Sequence, residues 1–212
     1  MIFLILTFFA FFNISANNGD YPEPYRWIKL LPLNLDGWFS EYSREPIKNI
    51  MNQINPKTIV EVGSWMGLST SFIAQNMPNN CILYAIDTWN GSPEHKDDPV
   101  YSKYLPNLYA LFLSNMRQLG LAEKIVPIRM SSIEAVKSLN LFPDFIYLDA
   151  SHKYEDVCDD ISNWYKKLKP GGILSGDDWM WPSVRTAVEK MAKDLNQNIH
   201  VVSTFWWFDP KK

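Results

Sequence analysis

The sequence predicts an α/β fold: a doubly wound sheet in a three-layer αβα sandwich, mostly parallel, with a final antiparallel strand pair. Three observations carry this. Short apolar runs recur at 58–62, 81–87, 124–129, 144–150 and 172–176. Helix-length segments lie between them, and two last apolar runs, 199–203 and 204–209, adjoin each other with no room for a helix. Continuous apolar strands separated by helices indicate a parallel sheet covered on both faces. Right-handed crossovers then place ligands at the carboxyl ends of the strands, near the point where strand order reverses.

The elements follow in order. "GWFSEYSREPIKNIMNQI" (37–54) reads as a helix that Pro46 disturbs or restarts. "TIVEV" (58–62) is a first strand and "GLSTSFIAQNM" (67–77) a helix. "CILYAID" (81–87) is a second strand ending in an acid. Thr88 to Tyr104 reads as a long loop carrying Trp89, His95, Tyr101 and Tyr104, long enough to act as a lid. "LPNLYALFLSNMRQLG" (105–120) is a helix with Pro106 in its first turn and Gly120 as its stop. "KIVPIR" (124–129) is a third strand. "SSIEAVKSL" opens on Ser131 with Glu134 three residues on, a capping pattern. "DFIYLDA" (144–150), a helix over 155–168, "GILSG" (172–176) and a helix over 183–196 complete the run before the closing hairpin.

A chain of 212 residues suits one domain with a sizeable core. A net charge of −3 without a basic block excludes a nucleic-acid partner. Cys81 and Cys158 belong to no CxxC or Cys/His cluster, so two buried thiols are expected rather than a disulfide or zinc site. The opening "MIFLILTFFAFF" is too short to span a bilayer and has the length of a signal-peptide core, with Ile14–Ala16 as a candidate cleavage site. No Lys or Arg precedes it. Residues 1–16 therefore read as a signal or anchor segment, 17–37 as an extended lead-in and 38–212 as the folded domain. A membrane partner is expected only if residues 1–16 anchor the chain. Homodimerisation is left open.

Chemistry concentrates at the strand ends. "VEVGSWMGLST" leaves the first strand at Glu61 and enters a helix near Leu68, with Gly63 and Gly67 bracketing the turn. Such a turn brings a ligand close to backbone N–H groups. It lacks the Gly-Lys-Ser/Thr of a nucleotide P-loop. Ser64 and Trp65 stand where a dinucleotide turn needs glycine, which counts against NAD or FAD. Asp87, 20 residues after Gly67, can accept from both hydroxyls of a ribose. Ser131 and Ser132 follow the third strand, where an adenine edge would lie, though they also suit helix caps.

Two adjacent acid pairs are read differently. Asp159 and Asp160 lie on a helix whose apolar stripe is Val157, Ile161, Trp164 and Leu168, and read as a solvated face. Asp177 and Asp178 leave a central strand beside Asp149 at the end of its neighbour. Three ionised carboxylates that converge raise one another's pKa values or gather a hard divalent cation, Mg²⁺ most simply. His152, three residues after Asp149, is a candidate base for a hydroxyl proton; Lys153 is a weaker one.

"VEVGSWMGLST", "YAIDTW", "VPIRMSS", "DFIYLDASHKYEDVCDD" and "LKPGGILSGDDW" together resemble class I S-adenosylmethionine-dependent methyltransferases, over about residues 38–208. The nearest likeness is to the metal-dependent O-methyltransferases, whose two metal aspartates the 28-residue interval from Asp149 to Asp177 fits. The resemblance implies a Rossmann-like domain that binds S-adenosylmethionine and methylates a hydroxyl of a small molecule or sugar. It implies that Glu61, Gly63, Ser64 and Gly67 line the methionine part, Asp87 holds the ribose, and Met130, Ser131 and Ser132 lie near the adenine. Asp149 would touch the cofactor and, with Asp177 and Asp178, hold Mg²⁺, and His152 would be the base. Catechol-type members usually carry Asn as the third metal ligand; Asp178 looks more like the macrocin-type sugar enzymes. Trp179 and Trp181 would form the acceptor's far wall. Two alternatives stand beside this: another enzyme on the same scaffold, such as a cephalosporin-hydroxylase-like oxidoreductase, and a non-catalytic cofactor-binding protein. A secreted enzyme would lack the cytosolic cofactor, so the N-terminal segment is expected to anchor on the cytosolic side or not to be a signal.

Overall fold

The computed structural model describes residues 21–212. The signal or anchor segment expected at 1–16 and the start of the lead-in fall outside the described residues. Among the described residues, no helix is long and apolar enough to cross a membrane.

After its lead-in the chain alternates between helices and strands, apart from three successive α-helices between the second and third strands and the closing strand pair. The elements are α1 (Glu41–Ile54), β1 (Thr58–Val62), α2 (Leu68–Asn76), β2 (Ile82–Asp87), α3 (Pro93–Asp97), α4 (Pro99–Ser102), α5 (Leu108–Gln118) and β3 (Ile125–Arg129). They continue with α6 (Ser132–Ser138), β4 (Phe145–Leu148), α7 (Tyr154–Lys167), β5 (Ile173–Gly176), α8 (Pro182–Asp194), β6 (Ile199–Val202) and β7 (Phe205–Phe208). The sheet order is β3-β2-β1-β4-β5-β7-β6. The first five strands pair in parallel, while β7 is antiparallel to β5 and to β6. This is the expected doubly wound sheet with its closing hairpin. Strand order reverses between β1 and β4, the crevice where such sheets bind ligands.

Each face of the sheet has its own apolar layer. Ile59, Leu83, Phe145 and Ile173 pack with α1, α2 and α5 on one side. Val60, Ile86, Ile146 and Leu174 pack with α6, α7 and α8 on the other. The alternation of side chains along each strand assigns the two sets.

Three local expectations change. Helix α1 runs through Pro46 without restarting. Proline removes one backbone donor, yet Ile47, Ile50 and Met51 just beyond it are buried and hold the helix against the core. The expected loop 88–104 contains α3 and α4, each opened by a capping residue followed by proline: Ser92-Pro93 and Asp98-Pro99. Trp89 is not part of a lid. It is buried against Tyr109 and Phe112 and donates its indole N–H to the Trp65 carbonyl at 2.9 Å.

Gly176 ends β5 beneath Trp206. A Cβ there would lie 2.6 Å from the Leu148 carbonyl oxygen and 2.5 Å from the Trp206 ring. Gly176→Ala is expected to destabilise the protein by about 1–3 kcal/mol through overpacking, a fall of several degrees in Tm. Thermal denaturation followed by circular dichroism tests this; an unchanged Tm would contradict the packing described.

Candidate active site

The parallel register puts the strand ends on one rung. Ile86, Val62, Leu148 and Gly176 are paired across β2, β1, β4 and β5. The next residues are therefore Asp87, Gly63, Asp149 and Asp177, side by side along the carboxyl edge at the strand spacing of about 4.8 Å. The ladder bonds continue one step beyond the strands: Gly63 N–H donates to Ile86 O at 2.8 Å, Asp149 N–H to Val62 O at 2.8 Å and Asp177 N–H to Leu148 O at 3.0 Å.

Gly63 adopts φ +91°, and a Cβ on it would come within 1.8 Å of the Asp149 carbonyl oxygen. Only glycine fits. The turn beyond is held by Asp87, whose Oδ2 accepts from the N–H groups of Ser64 (3.0 Å) and Trp65 (2.9 Å) and whose Oδ1 accepts from Trp89 N–H (2.7 Å). Asp87 thus braces the turn and still lines a cavity. Gly67, at φ +93°, packs on α5, where a Cβ would meet the Met116 methyl at 2.4 Å. Its role in the structure is close packing, and it borders neither of the two cavities described next.

Two adjoining cavities open above the rung. One, of about 330 Å³, is bordered by Trp38, Ser64, Ser69, Tyr101, Asp178 and Trp181. The other, of about 490 Å³, is bordered by Asp87, Met130, Ser131, Ser132 and Ile133. They share Gly63, Trp65, His95, Asp149 and His152 as common walls. Trp38, Trp65, His95 and Tyr101 pack on one another over the turn, with the Trp65 and His95 rings stacked at 4.2 Å. Burial keeps the His95 imidazole below its ordinary pKa, hence neutral at neutral pH. Trp179 borders neither cavity; it packs against the α7/α8 layer.

Glu61 was expected against the cofactor. It is instead fully buried behind the turn, accepting from the hydroxyls of Ser64 (2.8 Å), Ser69 (2.7 Å) and Thr70. Ser64 and Ser69 in turn border the first cavity. Burial pushes the Glu61 carboxyl up to about 7 against the pull of those three hydroxyls.

Asp149, Asp177 and Asp178 are close enough to act on one another's charge, but they do not gather as the expected cation cage, and Asp177 and Asp178 are engaged with other partners. Burial and the charges of Asp177 and Asp178 hold the Asp149 carboxyl well above the ordinary range. Asp177 accepts from the buried Tyr147 hydroxyl at 2.7 Å and from Asp178 N–H at 2.8 Å. Asp178 sits at φ +64° and meets His152 Nε2 at 2.9 Å. That ion pair raises the His152 pKa, and the ring stacks on Trp181 at 4.4 Å. Among the described residues, no three His, Cys, Asp or Glu side chains are gathered as a metal cage. Carboxylate oxygens are the hard donors that Mg²⁺ takes, but here they are not arranged as a cage, and burial first, then the neighbouring acids, raises Asp149.

At the second cavity Ser131 caps α6, with Glu134 closing the box. Ser132 donates to Asp160 and accepts from the Trp164 indole at 2.9 Å. Asp160 therefore leaves the solvated face expected for it: burial pushes its carboxyl up to about 6. Asp159 stays exposed.

Comparison with known proteins now bears on the site. Residues 60–179 match a family model described as "Methyltransferase domain". The chain belongs to this methyltransferase family. Its sheet is that of the class I S-adenosylmethionine-dependent members. It is 26% identical over 172 residues to uncharacterized protein y4gI of Sinorhizobium fredii, covering 76% of this chain but only 16% of that one. It is 23% identical over 177 residues to uncharacterized protein R132 of Acanthamoeba polyphaga mimivirus, covering 81% and 76%. Its fold resembles the O-methyltransferase from Bacillus cereus in complex with SAH, at TM-score 0.60 and 14% identity over 82% of this chain and 83% of that one. It likewise resembles TomG, an O-methyltransferase of Streptomyces achromogenes involved in tomaymycin synthesis and solved with SAM, at TM-score 0.60 and 13% identity over 82% of each chain.

The Glu61 carboxyl gives a pH signature. The folded chain holds its proton up to about 7, whereas the unfolded chain releases it near 4.5. The folded state thus binds more protons in that window, so stability is lost as pH rises through it, by about 3 kcal/mol. Glu61→Gln is expected to remove this slope relative to wild type. Urea denaturation between pH 4.5 and pH 8 measures it; parallel curves for the two proteins would contradict the assignment.

Proposed function

We propose that the chain is an S-adenosylmethionine-dependent O-methyltransferase acting on a hydroxyl of a small molecule or sugar, with a divalent cation, Mg²⁺ most simply, at the acidic strand ends. The observation that carries this is the rung itself: Asp87, Gly63 and Asp149 adjoin at the strand-order reversal and border two cavities with a common wall, with Asp177 next to Asp149 but behind that wall. One cavity suits a nucleoside and the other an acceptor, with Asp149 between them.

The cofactor would supply an electrophilic methyl on a sulfonium, and the cation a Lewis acid that lowers the pKa of a bound hydroxyl. The chain's own residues do the rest. Gly63 keeps the backbone open to the ligand. Glu61 fixes the hydroxyls of Ser64 and Ser69 at the cavity wall. Asp87, already accepting from three backbone donors, has one acceptor site left, on Oδ1, for a ribose hydroxyl. Met130, Ser131 and Ser132 border the adenine end. Asp149, Asp177 and Asp178 would hold the cation. With Nε2 of His152 bonded to Asp178, Nδ1 is the nitrogen left to take the acceptor's proton. Holding donor and acceptor in line supplies much of the rate in such a transfer.

Two measurements test this. Calorimetry with SAH, with and without Mg²⁺, is expected to show SAH binding to wild type and to Asp149→Ala, and Mg²⁺ binding to wild type alone. Equal Mg²⁺ binding by both proteins removes the cation assignment. Once an acceptor is in hand, His152→Ala is expected to lower kcat by about 10²–10⁴-fold, the usual contribution of a positioned base, with SAH affinity kept. A kcat within threefold of wild type, on that scale, would exclude His152 as the base.

A further inference from the structure

The cofactor turn is strained and does not hold itself. Gly63, Trp65 and Gly67 all adopt positive φ, and Trp65 at +45° is a bulky side chain in a region that disfavours it. Such a conformation persists only where its surroundings fix it. Asp87 does so from the sheet side through the Ser64 and Trp65 N–H groups. On the opposite side stands Asn115 of α5, which is fully buried. Its Nδ2 donates to the Met66 carbonyl inside the turn at 2.8 Å and to the Asn34 carbonyl at 2.5 Å. Its Oδ1 accepts from Asn34 N–H at 3.1 Å. One carboxamide therefore ties the turn to the segment that precedes the folded domain.

That segment is fastened by the same helix. Ser114 exchanges hydrogen bonds with both backbone groups of Leu31, at 2.8 and 3.2 Å, and Gln118 donates to the Leu31 carbonyl at 2.9 Å. Its far end closes back on the turn: the Trp65 indole donates to the Asp36 carbonyl at 3.1 Å, and Trp38 borders the first cavity. The sequence reads 17–37 as a lead-in outside the domain; the structure makes its described part a brace of the site.

We propose that Asn115 is a positioning residue for the cofactor turn, clamping the Met66 carbonyl opposite Asp87, so that cofactor affinity depends on a side chain that touches no ligand. The inference rests on the turn being the cofactor site. Asn115 borders neither cavity, so any effect on binding must pass through the backbone it holds.

The test uses the full chain and two variants. Asn115→Ala removes every bond. Asn115→Asp keeps the acceptor for Asn34 N–H and, when ionised, turns an oxygen in place of the donor towards the two carbonyls. Ser114→Ala, which loosens the brace without touching Met66, is the control. SAH affinity is measured by calorimetry well below each Tm, and amide exchange at Ser64 and Trp65 is measured in the ligand-free protein. Both Asn115 variants are expected to weaken SAH about tenfold and to speed exchange at those two amides, the scale of one buried hydrogen bond lost; Ser114→Ala should stay within about twofold. SAH affinity unchanged in the Asn115 variants, or exchange that rises evenly along α5 and not at the turn, overturns the inference. So does failure of both variants to fold, since the residue would then serve the fold alone. A wild type that binds no SAH overturns the cofactor reading, while the exchange measurement still judges the clamp.

Discussion

The carboxyl ends of β1 and β4 meet at a distance that only a glycine allows. A side chain at Gly63 would collide with the Asp149 backbone, which lies one ladder bond from Val62. This contact puts a flexible-looking turn and an acidic strand end into one rigid unit at the strand-order reversal. The cavities on either side inherit their common wall from it. The rung of Asp87, Gly63, Asp149 and Asp177 exists because four parallel strands end in register, and the register is set by apolar packing on both faces, not by the acids themselves. The core therefore positions the site.

Charge is concentrated on this rung at a cost the fold meets with local dipoles. Glu61 and Tyr147 are register partners on β1 and β4 and face the same layer. Glu61 is satisfied by three hydroxyls, and Tyr147 donates to Asp177. Burying a carboxyl without such partners would cost several kcal/mol. Asp149 has no comparable set of donors, so burial, added to by the charges of Asp177 and Asp178, drives its pKa up. A site with acidic groups and aromatic walls favours a ligand bearing positive charge, and a sulfonium meets that condition.

The architecture was legible because it is written in short-range patterns. Apolar runs located all seven strands of the described residues, and Ser131 with Glu134 marked the start of α6. Features that depend on distant partners were not legible. Nothing around Asn115 signals a buried carboxamide; its partners lie 81 and 49 residues away. Glu61 follows a strand pattern, and whether it faces a ligand or a serine depends on how α2 packs back on the sheet. Pro46 reads as a helix breaker because propensity ignores the apolar stripe beyond it, and tertiary packing outweighs one lost hydrogen bond. The helices α3 and α4 had local signals in Ser92-Pro93 and Asp98-Pro99, hidden by the length of the stretch that contains them. Trp89 shows the opposite failure: an aromatic residue in a loop is a poor guide to the surface, since a single tight turn can send it inward.

The two Asp-Asp pairs show how much a residue's element decides. On α7, successive residues point about 100° apart, so Asp159 and Asp160 need not share a fate. Asp159 faces solvent, while Asp160 turns towards α6 and binds Ser132, which also accepts from Trp164. At the end of β5 the chain leaves the pleat at once. Asp177 remains in ladder contact with Leu148 and points to Tyr147, and Asp178 takes a left-handed conformation that swings its carboxylate to His152. In neither pair do the two carboxylates share a partner side chain. In each, one acid is bound inside the structure and its neighbour faces another way, and the division is set by backbone geometry that the dipeptide itself does not encode. Asp160 thereby gains a part the sequence did not suggest. It borders the nucleoside-sized cavity and holds Ser132 at its wall, so this helix acid, with Asp87 and Asp149, lines a space that Asp177 and Asp178 do not reach.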